Sequence, residues 1–205
     1  MAHANWLTKN KNGGSGNDTV AFGAASNNTG RSSRQTTVTF SAVGVSDVTV
    51  TATQLGKTEF ASFDNTTPSV VKAGGTLTLT GKSNSSKLTF TKANDNIGIT
   101  VPSSYTAGGA TTNNGSAITG DPGAAQEYEW SIVFTIPANT GVAAKTVQVV
   151  VTDDAGDTHT CTITLAAGDA TLSVSPTSIQ LDWDAYTQSG SASVTVTSNT
   201  SWTIA

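Results

Sequence analysis

The 205-residue chain is short of most things from which enzymes and nucleic-acid-binding proteins are built. It has one cysteine, Cys161, so no disulfide can form within the chain. Charged residues make up 12% of it, ten basic against fourteen acidic, for a net charge of −4. A surface of that balance does not track phosphates, which argues against nucleic acid as a partner. Arg31 and Arg34 form the single local basic pair. No apolar run reaches the roughly 18 residues that a membrane span needs, so membrane insertion is not expected. The opening MAHANWLTKNKNGG has no charged region followed by an apolar core, so no classical leader is expected either. Helical periodicity is absent throughout. The low charge also sets the chain apart from disordered sequences, which carry high net charge or a Pro-rich bias.

What is present is Thr, Ser, Gly, Val and Ala, arranged in short alternating runs between turn residues. Threonine and valine suit a pleated, half-wet surface. QTTVTFSAV (35–43) and SDVTVTATQL (46–55) alternate with period two around Gly44 and predict a hairpin. Shorter strands are expected within 6–16 and 18–25. Residues 56–69 read as a connector, since Pro68 opposes a central strand there, and Phe60 and Phe63 are placed to plug the joint between two units.

A second unit runs from about Val70. GTLTLTG (75–81), KLTFTK (87–92), IGITV (97–101), EYEWSIVFTIP (127–137), KTVQVVVT (145–152) and THTCTITLA (158–166) are strand-like. DDAGD (153–157) is a hairpin turn, and Trp130 is the expected core tryptophan. Residues 103–127 are long, Gly-rich and poor in large apolar side chains, the pattern of a functional or mobile loop. From Ala170 the chain gives LSVSP, IQLDW, a Gly190–Ser191 turn, ASVTVTS and SWTIA. Turns every 8–12 residues in an all-β chain predict immunoglobulin-like sandwiches.

LSVSPTSIQLDW followed by GSASVTVTSNTSWTIA resembles the first half of a BACON domain, an immunoglobulin-like module of Bacteroidetes proteins and their phages. Trp6-Leu7-Thr8, the Gly13–Gly16 turn, the Asn27–Arg34 loop, TTVTF and VTVTATQ resemble its second half. IPANTGVAAKTVQVVV in the middle is a looser likeness, without the L-x-V-x-P opening. The resemblance implies three segments: 1–57, the second half of a BACON-like sandwich; 58–168, a complete sandwich; and 169–205, a first half. A half sandwich exposes an apolar face and unpaired edges. Three readings stay open. The halves close within one chain, or the C-terminal half of one molecule completes the N-terminal half of the next, or each packs on another partner.

Candidate sites follow from residue types and spacing. Trp6, Leu7, Val194, Val196, Trp202 and Ile204 would form the assembly interface of joined halves. Trp183 and Tyr186, beside Asp182 and Asp184, together with Tyr105, are the candidates for stacking on a sugar. Asp153, Asp154 and Asp157 share one turn and are the candidate Ca²⁺ ligands, although such a turn is commoner as plain backbone geometry. His159 and Cys161 share a strand face, with no further ligand to make a metal or nucleophile site. Arg31 and Arg34 are expected to hydrogen-bond loop carbonyls or a strand edge.

No resident cofactor is expected apart from that Ca²⁺ possibility. The expectation is a non-enzymatic structural or adhesive protein, first of all a virion surface or capsid decoration protein of a phage of Bacteroidetes. Its partners would be copies of itself or other virion or surface proteins. The alternative is a carbohydrate- or mucin-binding module of a bacterial surface protein, with glycans as partners, or a filament subunit assembled head-to-tail.

Overall fold

The computed structural model describes residues 4–181 and 192–205. These residues are all-β, with no helix. The strands are β1 (Leu7–Lys9), β2 (Phe22–Ala24), β3 (Arg34–Phe40), β4 (Val48–Gln54), β5 (Ala61–Phe63), β6 (Ser69–Val70), β7 (Gly75–Ser83) and β8 (Thr89–Ala93). They continue as β9 (Ser104–Ala107), β10 (Ala110–Asn113), β11 (Tyr128–Ile136), β12 (Lys145–Thr152), β13 (Thr158–Leu165), β14 (Leu172–Ser175) and β15 (Thr195–Ser198).

Two sheets form the centre, ordered β10-β9-β11-β7-β5 and β6-β13-β12-β8. Period-two alternation decides which faces meet. On β11, Tyr128, Trp130, Ile132, Phe134 and Ile136 are buried while Glu129, Val133 and Thr135 face out. Val147, Val149 and Val151 of β12 and Cys161, Ile163 and Leu165 of β13 come from the other sheet into the same core. Each such large side chain contributes roughly 1.5–3 kcal/mol on burial. Trp130 is the hub, meeting the rings of Phe63 at 5.2 Å and Phe90 at 5.1 Å edge-on. Burial also pushes the Cys161 thiol up to about 11, so it stays a neutral packing group.

The central strands match the sequence reading closely, with three differences. Residues 97–101 form no strand. Ile97 and Ile99 are buried, but Asp95 accepts the amides of Ile97 and Gly98, and Gly98 has φ +88°, so the segment is a buried loop. Residues 103–127 begin as a hairpin, β9–β10, turned by Gly108 and Gly109, both with positive φ. The connector 56–69 donates an edge strand, β5, to β7, and Phe63 sits against the core rather than at the joint. Pro68 does precede only a two-residue edge strand, β6.

The long axis of this sandwich has two distinct ends. The β7–β11 ladder runs from Ser83↔Tyr128 to Gly75↔Ile136, nine residue pairs, or about 27 Å. The β12–β13 turn, Asp153–Asp157, lies at the Ser83 end, where the Asp154 amide donates to the Ser85 hydroxyl. Lys72, Asn139, Gly141 and Gly168 lie at the Gly75 end, where Asn139 donates its amide to the Lys72 carbonyl and Gly168 to that of Gly141.

Three two-stranded sheets lie outside the centre: β1–β2, β3–β4 and β14–β15. The first two face each other over a small core of Trp6, Leu7 and Val38, and belong to one N-terminal unit.

Gly81 shows how tight the central packing is. A Cβ there would fall onto the Ser62 carbonyl and the Trp130 ring, whereas Gly13 has open space around it. Gly81→Ala is therefore expected to cost about 1–3 kcal/mol in urea unfolding. Gly13→Ala should shift it by less than about 0.5 kcal/mol; equal effects would contradict the packing described.

Candidate functional site

The N-terminal unit meets the central sandwich through a polar joint. Arg31 lies in the turn before β3, and its guanidinium reaches across to Asp121 in a two-pronged pair of 2.7 and 2.8 Å. It also donates twice to the Asn84 carbonyl, at 3.1 and 2.7 Å, and has Glu59 at 3.7 Å. Asn84 is fully buried. Its side chain donates to the carbonyls of Thr58 and Ala124 and accepts the Phe60 amide. The Lys57 amide closes the joint on the Gly30 carbonyl at 2.8 Å. Gly56 is needed there, because a Cβ would meet the Arg31 carbonyl. The hydrogen bond from Arg31 holds the Asp121 carboxyl below its ordinary range, and Asp121 in turn raises the guanidinium.

Arg34 works inside the N-terminal unit. It lies 5.0 Å over the Trp6 ring and donates to Gln54 and to the carbonyls of Ser26 and Asn27. Both arginines thus bind loop carbonyls, as their setting in the sequence suggests.

The far end of the N-terminal unit is open. β1–β2 covers Val38 but leaves Phe40, Val48 and Val50 at 40%, 63% and 44% exposure. Phe22 and Phe40 meet edge-on at 6.4 Å across the gap. A groove of about 490 Å³ results, lined by Phe22, Phe40, Val45 and Val48, with Lys9 and Lys11 at its rim. It lies at the Phe40↔Val48 end of the β3–β4 ladder, away from the Arg34↔Gln54 end that adjoins the joint.

The C-terminal ribbon is open in the same way. Leu172, Val174, Val194 and Val196 alternate onto one face of β14–β15, and the first three are exposed, as are Trp202 and Ile204. Asn199 fixes this ribbon to the central sandwich by donating to the carbonyls of Thr140 and Asp169, and Lys72 pairs with Asp169. These anchors are at the Gly75 end.

The remaining sequence candidates fall in different settings. Trp6 and Leu7 are buried in the N-terminal unit, while Val194, Val196, Trp202 and Ile204 belong to the ribbon at the opposite end of the molecule. Among the described residues no ladder joins the two groups. Tyr105 is a correction: it is buried at 3% exposure, packs on Phe90 at 5.0 Å and accepts the Leu88 amide on its hydroxyl. Such a ring offers no face to a sugar. Trp183 and Tyr186 lie outside the described residues.

The three aspartates do not converge on one point. Asp153 is buried, and one of its carboxylate oxygens accepts the Asp157 amide across the turn. Asp154 accepts the Ser86 hydroxyl and pairs with Lys87 at 2.6 Å, which holds its pKa down. Among the described residues no group of three potential ligands is placed to hold a metal. The joint residues Asn84 and Asp121 were missed by the sequence reading. Only the Asp-Pro-Gly turn at 121–123 hinted at a fixed position.

Residues 1–55 match the BACON family model, described as "Putative binding domain, N-terminal". The resemblance read from Trp6-Leu7-Thr8 and the strands after it is thereby borne out for this segment. No curated protein matches the chain in sequence. Among solved structures it is similar to protocadherin gamma B2 extracellular cadherin domains 1–5, at 13% identity and a TM-score of 0.35. That likeness covers 85% of this chain and 33% of the other, so the chain spans about a third of it. No helix among the described residues is long and apolar enough to cross a membrane.

The joint carries a pH prediction. Because Asp121 is more acidic when paired, its stabilisation is complete above the ordinary carboxylate pKa of about 4 and is lost as pH falls through the lower folded value. At pH 7, Asp121→Asn should speed exchange of the Lys57 amide up to about fivefold, the scale of a partly exposed pair. Wild type and variant should converge only once pH has fallen through the lowered Asp121 value, after correction for intrinsic exchange; a gap unchanged with pH would assign the joint to packing instead.

Proposed function

We propose that the chain is a non-catalytic structural and adhesive protein displayed on a surface, holding two binding ends apart on a stiff central sandwich. The observation that carries this is the pairing of exposed apolar faces on the flanking ribbons with a closed middle. Phe40, Val48 and Val50 at one end, and Leu172, Val174 and Ile204 at the other, stand in water around a core that is otherwise well buried. Monomeric proteins seldom leave such contiguous patches open except for a partner. The match of residues 1–55 to a model described as a binding domain supports the same reading. The setting would be the surface of a virion of a phage of Bacteroidetes or of a bacterium of that group; the BACON resemblance supports a surface in both cases.

A second reading, carbohydrate binding, is favoured by the groove beside Phe22 and Phe40. Its volume and its mix of apolar walls with Lys9, Asn12 and Asp18 fit a small ligand. On this reading a glycan array gives a hit that is lost in Phe22→Ala, and the groove takes over the role that the sequence gave to Tyr105.

Display is tested by immunogold labelling of intact cells, and of virions they release, with antibody raised against residues 58–168. Label on an outer surface is expected. Label that emerges only after permeabilisation would sink the proposal.

A further inference from the structure

The chain holds two Asn-Gly pairs, Asn12-Gly13 and Asn114-Gly115. An asparagine followed by glycine is open to attack by its own main chain. With no Cβ on the second residue, the backbone nitrogen approaches the side-chain carbonyl carbon unhindered, and the dihedrals of the approach are accessible. As sequence the two pairs are alike, since a small residue follows each, Gly14 and Ser116. The fold makes them unlike.

Asn114-Gly115 is locked. The Asn114 side-chain oxygen accepts the Phe90 amide at 2.7 Å, and its nitrogen donates to the Phe90 carbonyl at 2.9 Å. The Asn114 amide donates to the Ser103 carbonyl at 2.8 Å. The Gly115 amide, which would be the nucleophile, donates to the Leu88 carbonyl at 3.0 Å. Attack there requires the loop to open locally first.

Asn12-Gly13 is free. It lies between β1 and β2, where residues 12–19 are all exposed. Among the described residues, neither the Asn12 side chain nor the Gly13 amide has a hydrogen-bond partner. A Cβ at Gly13 would meet nothing within 4 Å. The loop is fixed only at its base, by the Lys9↔Phe22 pair, the two bonds between Asn10 and Ala21, and the Lys11–Asp18 ion pair at 2.7 Å. Change in the middle of the loop therefore leaves β1–β2 intact.

We infer that Asn12 is a site of spontaneous deamidation in the folded chain and that Asn114 is not. The Gly13 nitrogen gives up its proton and bonds to Cγ of Asn12. The bond from Cγ to the side-chain nitrogen breaks, and that nitrogen leaves as ammonia, taking up a proton. Water then opens the resulting succinimide at one of its two carbonyls. Opening at the side-chain carbonyl gives aspartate, and opening at the main-chain carbonyl gives isoaspartate, whose chain runs through Cβ. Water is the only co-reactant. Asn12 stands in the wall of the Phe22–Phe40 groove, whose charged residues are Lys9, Lys11 and Asp18, so the new carboxylate takes that wall from a net +1 to zero. The groove thus exists in two charge forms, one in newly made chains and one in aged chains, whatever it binds.

The test ages the full chain in mildly alkaline buffer, with and without concentrated urea. Peptide mass spectrometry reads the exchange of NH2 for OH at each asparagine, and fragmentation separates aspartate from isoaspartate. In the folded chain Asn12 should convert at least about tenfold faster than Asn114, which must wait for local opening. In urea the two rates should come within about threefold of each other, since the locking bonds are gone. Gly13→Ala, which the open space around Gly13 accommodates, should remove most of the conversion at residue 12. Equal conversion of the two sites in the folded chain, or a gap that persists in urea, overturns the inference. Conversion at residue 12 that Gly13→Ala leaves unchanged overturns it too.

Discussion

The nine-pair ladder between β7 and β11 sets the spacing of everything else in the molecule. It fixes which residues stand at each end of the sandwich, and so where the flanking units can be fastened. Ser83 and Asn84 end β7 on one side, and Asn84 holds the N-terminal unit. Gly75 and Ile136 end the ladder on the other, next to the Asn139 loop that receives the C-terminal ribbon. The register has little freedom. A slip of one residue would turn Trp130, Ile132 and Phe134 outward and bring Glu129 and Thr135 into the core.

The two junctions differ in kind. At the Asn84 end a fully buried amide, two backbone carbonyls and a two-pronged ion pair converge from three segments of chain. The Asn84 amide and the Arg31 guanidinium are engaged there on all sides, and leaving such a buried group without a partner would cost its full desolvation. At the other end the ribbon hangs on Asn199 and an exposed ion pair from Lys72 to Asp169. Exposed pairs contribute about 0–1 kcal/mol. The N-terminal unit is thus held in a set direction, while the ribbon is attached by a lighter tether.

The central strands were legible because alternation is strong there. KTVQVVVT reads as β12 to the residue, and EYEWSIVFTIP contains β11 within one residue at either side. Two features escaped for local reasons. Ile97 and Ile99 alternate like a strand, but Asp95 and Gly98 supply a turn that outcompetes the ladder. Ala107-Gly108-Gly109-Ala110 is a hairpin turn hidden in a Gly-rich run that looked structureless. Of the candidate site residues, Tyr105 could not be placed from sequence, since an isolated tyrosine in a polar loop gives no sign of facing a core. The joint was the least legible part, because it depends on Asn84 and Asp121, which lie far apart in the chain and in runs of small polar residues.

The edges of the central sandwich are treated differently from those of the β3–β4 hairpin. The central sandwich blunts all four of its edges. β6 has two residues and follows Pro68, β5 has three and β10 four. β8 carries Lys92, whose ammonium is tied to Asp95 and the Ile99 carbonyl beside it. Short edges and edge lysines are how sheets resist adding strands from other chains. β3 and β4, seven residues each with Val38, Phe40, Val48 and Val50 on one face, have no such protection. A chain under pressure only to stay soluble would guard its longest exposed hairpin first. Here the protection is concentrated on the central sandwich, and the β3–β4 hairpin goes without it.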